Sequence, residues 1–353
     1  MSGIKDKPIY KVIWSVLSVI IAACAIYAVM SQAKDFSFPK LFELIKSGNK
    51  VYLAITFLCI PAYIIAEGEA LRVIVKKLHN KKITFGQSFV YSAADIYFSA
   101  ITPSASGGQP ASVYFMMKDD IGVSVISASL VLNLFMYNSA IVFIGLICFI
   151  FNFDTFLSYN LSGRIMIILG YSVLIGLMIG TLLLLKKGDW VHRMGQKVIN
   201  LLAKMHIVRN KEAKLQKLEG TIERYKDSSD ALFKDKILLS KVFLINLFQR
   251  SIQIAVPSFM FLAMNGSPKF FGNIWVVQAY SVLGSNWFPV PGAMGIVDYL
   301  MLTGYSAVMD RDMAVNLELA GRSVSFYICI VVSLIAVVIG YLTRRRKERA
   351  GRI

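Results

Sequence analysis

Long apolar runs alternate with short polar segments along most of the chain. Several runs are close to the roughly 20 residues that an α-helix needs to cross a bilayer. Their regular recurrence predicts an all-α polytopic membrane protein with about six full spans. The predicted spans lie at about 11–31, 51–71, 124–151, 165–185, 238–264 and 323–342.

Two further apolar segments, 86–117 and 274–310, are each interrupted by a cluster of proline and glycine. Such clusters break helices, and the arms on either side are short for a full crossing. Each segment is therefore predicted to be a re-entrant helical hairpin. The interruptions run Thr102-Pro103-Ser104-Ala105-Ser106-Gly107-Gly108-Gln109-Pro110 and Pro289-Val290-Pro291-Gly292-Ala293-Met294-Gly295, with the spacing Pro103-x-x-x-Gly107 repeated as Pro291-x-x-x-Gly295.

The distribution of positive charge predicts the orientation of the spans. Lysine and arginine concentrate at 72–82, at 186–236 and at 344–347, whereas 152–163 and 265–273 carry almost no charge. Loops rich in these residues stay on the cytoplasmic side. The N- and C-termini are then cytoplasmic, and the two hairpins enter the membrane from opposite faces.

This count predicts one transmembrane domain over 1–353 that contains an inverted repeat, a plan found in many transporters. The first half covers 11–151 and the second 165–342. The basic segment 186–236 is expected to be cytoplasmic, with Leu201, Leu202, Leu215, Leu218 and Ile222 among its charges. It is predicted either to lie on the membrane as amphipathic helices or to form a solvated linker.

Composition excludes several classes of function. The net charge of +17 arises mainly from loops and the tail, so we do not expect nucleic acid as a partner. The sequence contains no GxSxG, HExxH, Walker A or GxGxxG motif, so no catalytic residue, metal or cofactor is expected. The four cysteines (Cys24, Cys59, Cys148 and Cys329) lie in apolar runs and are interpreted as buried hydrophobic residues.

The two interruptions are the first candidate substrate site. Irregular backbone at membrane depth must line a cavity or be covered by protein, and free N–H groups at a helix start suit a phosphate or carboxylate. The alternative is that these residues only shape tight turns. The candidates are Pro103, Ser106, Gly107, Gly108 and Gln109 in the first break and Pro291, Gly292 and Gly295 in the second.

Ionisable residues within the apolar segments are the second set of candidates, because a charge inside a membrane is costly and is usually functional. Asp95 and Asp298 are nearest the breaks, and Arg250 is flanked by Gln249 and Gln253. For each of them the alternative is an internal salt bridge or an interface position with the charge turned to water. Glu67, Glu69 and Glu318 are also candidates for the headgroup level. The substrate-binding set is Asp95, Arg250, Asp298, Glu318 and Arg322, of which the last two are spaced to pair along one helix.

The two breaks in this order, the second followed by Ile296-Val297-Asp298, resemble the paired motifs of the lysylphosphatidylglycerol synthase transmembrane family. This is the flippase-like region of the bacterial multiple peptide resistance factor group. The resemblance extends over residues of about 10–343. It implies that the chain moves aminoacylated phosphatidylglycerol, or a related phospholipid or glycolipid, to the outer leaflet, which counters cationic antimicrobial peptides.

The resemblance leaves alternatives open. Full-length relatives carry a cytosolic aminoacyltransferase domain, which is expected to be absent because the sequence ends at Ile353. Phosphatidylglycerol lysyltransferase activity, alone or as a membrane subunit, is one alternative, and secondary transport of a small anion is another. The bacterial cytoplasmic membrane is the expected location. The expected partners are a phospholipid substrate, a separate lipid-modifying enzyme and a second copy of the chain.

Overall fold

Every regular element of the described chain is helical. The computed structural model describes residues 46–79, 82–102, 105–187, 211–286 and 295–349, together with residues 192, 193, 195–197, 199, 200, 288 and 290–293. The helices are α1 (Lys50–Leu78), α2 (Phe85–Ile101), α3 (Gly108–Lys118), α4 (Val123–Phe151), α5 (Phe153–Ser158), α6 (Leu161–Lys186), α7 (Lys211–Lys234), α8 (Lys236–Ala263), α9 (Phe271–Ser285), α10 (Ile296–Ser306), α11 (Arg311–Arg322) and α12 (Cys329–Arg349).

Among the described residues, five helices are long and apolar enough to cross a membrane. They confirm the prediction of an all-α, multi-pass membrane protein, while the predicted span 11–31 lies outside the described residues. The last span begins at Arg311 rather than at about 323, because α11 continues into α12 through the π-helical segment Ser323–Ile328. Hydropathy missed this start because the first turns of α11 carry charge. The other four are α1, α4, α6 and α8.

Polar side chains fix where the long helices begin. At the start of α1, the Asn49 side chain accepts a hydrogen bond from Val51 N, and at the start of α8 the Asp235 side chain accepts one from Leu238 N. Such caps satisfy N–H groups that have no partner within the helix. Asp235 also accepts from Lys77 Nζ at 2.7 Å, which ties the end of α1 to the start of α8. These interactions, the hydrogen bond from Lys77 first, hold the pKa of the partly exposed Asp235 carboxyl below its ordinary value.

The two interrupted segments are both helical hairpins. Hairpin A consists of α2 and α3, and hairpin B consists of α9 and α10. At 1.5 Å per residue the first arms are only about 25 and 22 Å long, and each second arm is about 16 Å. A bilayer core is about 30 Å thick, so no arm spans it. Gly107 and Gly295 are the N-caps of the two second arms, which have 11 residues each.

Corresponding helices make corresponding contacts in the two halves. In the first half α1 packs on α2, and in the second half α8 packs on α9. Hairpin A packs through α2 on α12, the last helix of the second half, whereas hairpin B packs through α9 on α4, the last long helix of the first. The helices α1 and α8 form the most extensive pair, here called the central seam. Matching contacts of this kind are expected of a chain that contains two repeats of one plan.

The basic segment between α6 and α8 contains a helix that packs on the protein. In α7, Tyr225 is buried and donates a hydrogen bond to Leu184 O at 3.1 Å. Ser124 Oγ at the start of α4 donates to Thr221 O at 3.2 Å. The described part of this segment is therefore helical and docked on the ends of α4 and α6, which disfavours a solvated linker.

We expect Gly170→Ala to destabilise the contact between α6 and hairpin B. A Cβ at Gly170 would lie 2.0 Å from the backbone oxygen of Leu283, so the two helices would have to separate. Overpacking of this kind typically costs about 1–3 kcal/mol. Gly176→Ala in the same helix is the matched control, because a Cβ there meets nothing within 4 Å. Unfolding in mixed detergent micelles measures both variants, and equal stability would contradict the close approach.

Candidate functional site

Hairpin A places its break directly against an acidic side chain. Gly107 N donates a hydrogen bond to Thr102 Oγ1 at 2.8 Å, which closes the turn between the arms. A Cβ at Gly108 would lie 2.0 Å from Asp95 Oδ1 and 2.1 Å from Ser99 Oγ, so only glycine fits there. The backbone of α3 at Gly108 therefore packs directly against the side chain of Asp95 in α2.

Asp95 is buried and is held from both arms of the hairpin. Its Oδ1 accepts from Ser99 Oγ at 3.1 Å, and its Oδ2 accepts from Gln109 Nε2 at 3.0 Å. Three predicted site residues, Asp95, Gly108 and Gln109, are thus brought together. Ser106 is exposed, and Pro103 lies outside the described residues.

The central seam carries a second buried carboxylate. Glu67 of α1 is only 7% exposed, and its Oε2 accepts a hydrogen bond from Gln249 Nε2 of α8 at 2.9 Å. Asp95 and Arg250 lie close enough to act electrostatically on Glu67. Glu67 therefore faces the interior of the helix bundle, where Gln249 holds its side chain. Glu69 instead faces outward and pairs with Arg72.

Arg250 is 4% exposed and is surrounded by aromatic and amide groups rather than by carboxylates. Its guanidinium lies 3.7 Å from the centre of the Tyr137 ring. It donates to Gln253 Oε1 and, at 3.4 Å, to Tyr63 Oη, while its Nε is buried without a hydrogen-bond partner. A buried donor without a partner is costly, and it is a group that a bound anion would satisfy.

These side chains form one polar cluster, defined here as Glu67, Asp95, Gln249 and Arg250. The cluster holds two carboxyl groups and a single guanidinium, and none of the described contacts of Arg250 is a direct ion pair. It also contains an unbonded acceptor, Gln249 Oε1, beside the unbonded donor of Arg250. Such a site suits a ligand that offers both an anionic and a cationic or donor group.

The second break is organised by an ion pair between α10 and α11. Arg322 Nε lies 2.7 Å from Asp298 Oδ1, which is close enough for an ion pair. The N–H···O angle is not that of a hydrogen bond, so this oxygen has an ionic contact only. Asp298 Oδ2 also accepts from Gly295 N at 2.8 Å, and Arg322 donates to Gly292 O at 3.3 Å. The N–H group of Gly295, which was predicted to bind a phosphate, thus donates to the carboxylate of Asp298 instead. Glu318, one turn before Arg322, is half-buried.

Left-handed backbone makes this second turn possible. Gly292 has φ 61° and Gly295 has φ 77°, a region that glycine adopts without strain. The 3₁₀ turn Pro291–Ala293 packs against α2, the first arm of hairpin A. The break of hairpin B therefore reaches the helix that carries Asp95.

An apolar groove of about 770 Å³ lies along the central seam. Its lining residues include Ala66 of α1 and Phe248 of α8, the sequence neighbours of Glu67 and Gln249, but no side chain of the polar cluster itself. Charged side chains, Glu69 and Lys241, are also among its lining residues. The seam thus has a mainly apolar groove on its surface and the polar cluster in its buried interior.

Tyr63 and Tyr137, which provide the aromatic surroundings of Arg250, were not among the residues predicted from the sequence. Tyr63 lies four residues before Glu67 and therefore on the same face of α1, a signal that was available. Tyr137 lies 113 positions before Arg250, and no local pattern indicates that contact.

The family model described as Lysylphosphatidylglycerol synthase TM region matches residues 15–333. The chain belongs to this family. The match confirms the resemblance carried by the two breaks and supports a lipid-related function in a membrane. No curated protein and no solved structure matches the chain.

We expect Gly108→Ala to force the arms of hairpin A apart. The added Cβ would meet Asp95 Oδ1, Ser99 Oγ and the backbone oxygen of Asp95, the last at 2.6 Å. A cost of about 3 kcal/mol is expected, with displacement of Asp95 from the polar cluster. Gly86→Ala at the start of α2 is the control, since a Cβ there meets nothing within 4 Å. Unfolding in mixed micelles measures the loss, and indistinguishable variants would refute the close packing.

Proposed function

We propose that the protein moves a phospholipid with a charged headgroup from one leaflet of the membrane to the other. The observation that carries this proposal is the polar cluster, whose buried Arg250 has a donor without a partner, in a central seam whose two helices also line an apolar groove. A phospholipid has the same two parts, a charged headgroup and apolar tails. The family match supports a lipid as the substrate.

In this mechanism the headgroup enters the polar cluster while the tails stay in hydrocarbon. The phosphate accepts hydrogen bonds from the Arg250 guanidinium, which is planar and stays protonated. An ammonium group on the headgroup is balanced by Glu67 and Asp95, because the cluster contains more carboxyl groups than cations. Without such partners, desolvation of the headgroup charges would cost several kcal/mol.

In this mechanism the two hairpins change position during transport. Neither spans the bilayer, and each packs on a long helix of the opposite half, so a shift of one half changes the environment of both breaks. The turn Pro291–Ala293 contacts α2, which places the Asp298–Arg322 pair at the junction of the two hairpins. We assign Arg322 to a second phosphate position, reached when this ion pair opens.

The biological setting follows from the same proposal. Aminoacylated phosphatidylglycerol, or a related phospholipid or glycolipid, is the substrate, and its appearance in the outer leaflet lowers surface negative charge and weakens cationic antimicrobial peptides. We place the protein in the bacterial cytoplasmic membrane with both termini in the cytoplasm. A separate lipid-modifying enzyme supplies the substrate, and a homodimer is the proposed assembly.

Lipid exchange in proteoliposomes tests the proposal. Purified protein is reconstituted with tail-labelled lipids that differ only in headgroup, and the label in the outer leaflet is quenched at intervals. Labelled lysyl-phosphatidylglycerol is expected to exchange at least tenfold faster than labelled phosphatidylcholine, and protein-free vesicles give the background. Exchange at the background rate, together with uptake of a small anion, would favour the alternative of solute transport.

A further inference from the structure

A second pocket, which is polar and shares no lining residue with the cluster, lies where hairpin A meets the end of the last helix. It has a volume of about 160 Å³ and lies between the last turns of α3 and the charged end of α12. No function discussed so far involves it. Its lining residues are Tyr114, Phe115, Lys118, Tyr341, Arg344 and Arg345.

A buried ion pair fixes one wall of this pocket. Arg344 donates through Nε to Asp119 Oδ1 at 3.1 Å and through a terminal nitrogen to Asp119 Oδ2, so the pair is bidentate. Both side chains are less than a tenth exposed. Tyr91 Oη donates to Asp119 at 2.6 Å, and the guanidinium lies 5.1 Å from the Phe115 ring centre. The cation is thus held in place before any ligand arrives.

The charge around the pocket is strongly positive. Three of its lining residues are cations, and none of the described lining residues is a carboxylate. The carboxylate of Asp119, which pairs with the lining residue Arg344, also accepts a hydrogen bond from Tyr91. A pocket of this charge is a binding site for an anion, and guanidinium groups suit phosphate oxygens in particular.

The surroundings of the pocket are those of a lipid rather than of a soluble anion. Tyr114 and Tyr341 at its rim are each 44% exposed, and tyrosine is enriched at the headgroup level of membranes. Met117 and Leu342, near these tyrosines in the sequence, are also exposed, so the same ends of α3 and α12 present apolar side chains as well. Basic pockets between transmembrane helices on the cytoplasmic side recur as headgroup sites.

We propose that this pocket binds the phosphate of an anionic phospholipid in the cytoplasmic leaflet. The phosphate lies between Lys118 and Arg345, with Arg344 as the fixed cation behind it, and the acyl chains run along Met117 and Leu342. The site is separate from the polar cluster, so it does not depend on the proposed lipid movement. A bound lipid would bridge hairpin A and α12.

Native mass spectrometry of the full chain, released from detergent with added lipid, tests the site. The double variant Lys118→Gln/Arg345→Gln is expected to retain phosphatidylglycerol at least tenfold more weakly than the wild type. Arg346→Gln is the matched control, because it removes an exposed positive charge from the adjacent position without altering the pocket. The conservative variant Lys118→Arg/Arg345→Lys is expected to restore retention, which separates lost binding from misfolding.

The comparison of ligands decides whether the anion is a lipid. Phosphatidylcholine should not be retained by the wild type above the level of the double variant. Equal loss in Arg346→Gln would show diffuse attraction to the basic tail and would overturn the site. Binding of inorganic phosphate without retention of phosphatidylglycerol would overturn the assignment to a lipid, as would equal retention of phosphatidylcholine.

Discussion

Arg250→Gln is expected to slow headgroup-selective lipid exchange by on the order of a hundredfold and to destabilise the fold by about 3 kcal/mol. The rate falls because one or two charge-assisted hydrogen bonds to the phosphate, worth about 1.5–3 kcal/mol each, are lost. Stability falls because Glu67 and Asp95 remain buried near each other without the cation that offsets them. Exchange in proteoliposomes and unfolding in mixed micelles measure the two effects.

A second variant separates the two effects of this substitution. The double change Glu67→Gln/Arg250→Gln removes one charge of each sign from the seam, so it is expected to recover much of the stability. Exchange should stay slow, because the donor to the phosphate is still missing. Lys236→Gln at the exposed start of α8 is the control for net charge, and it should change neither quantity.

The outcome that would exclude Arg250 from the site is specific. If Arg250→Gln loses stability but exchanges lipid at the wild-type rate once folded, the residue only holds α8 against α1 and α4. If the double variant regains both stability and exchange, the cluster is a structural network and the phosphate binds elsewhere. The pair Asp298–Arg322 at the second break would then be the next candidate.

The long helices and the breaks were predictable because each depends on local sequence. A run of apolar residues specifies a span, and proline with glycine specifies its interruption, with no reference to the rest of the chain. Asp95 was predicted for the same reason, since it lies on the arm next to the break. Its hydrogen bond to Gln109 spans only 14 positions within one hairpin.

The rest of the site depends on which helices pack together, and that information is not local. Gln249 reaches Glu67 across 182 positions, so the inward position of Glu67 could not be read from α1 alone. Helical periodicity reports which face of a helix is polar, but not which partner that face meets. The repeat itself could have suggested the central seam, because α1 and α8 occupy corresponding places in the two halves.

Loss of one partner from the Asp119–Arg344 pair is expected to cost more stability than loss of a partner from any other described ion pair, because this pair is the most deeply buried. Its side chains are 8% and 9% exposed, whereas those of the other described pairs are 13% exposed or more. Asp119→Ala would leave a buried guanidinium without its anion, which typically costs about 3–5 kcal/mol. Unfolding in mixed micelles measures the loss, and Arg345→Gln at the next, exposed position should cost within about 0.5 kcal/mol.

The position of the Asp119–Arg344 pair also predicts which helices exchange their amide hydrogens faster when the pair is broken. Asp119 follows α3 directly and Arg344 belongs to α12, so their loss releases the end of hairpin A from the last helix. Hydrogen exchange should rise in α3 and in the last turns of α12, while hairpin B, which packs on α4 and α6, keeps its protection. A uniform rise across both hairpins would instead mean that the two halves unfold as one unit, and that the pair stabilises the whole fold rather than this junction.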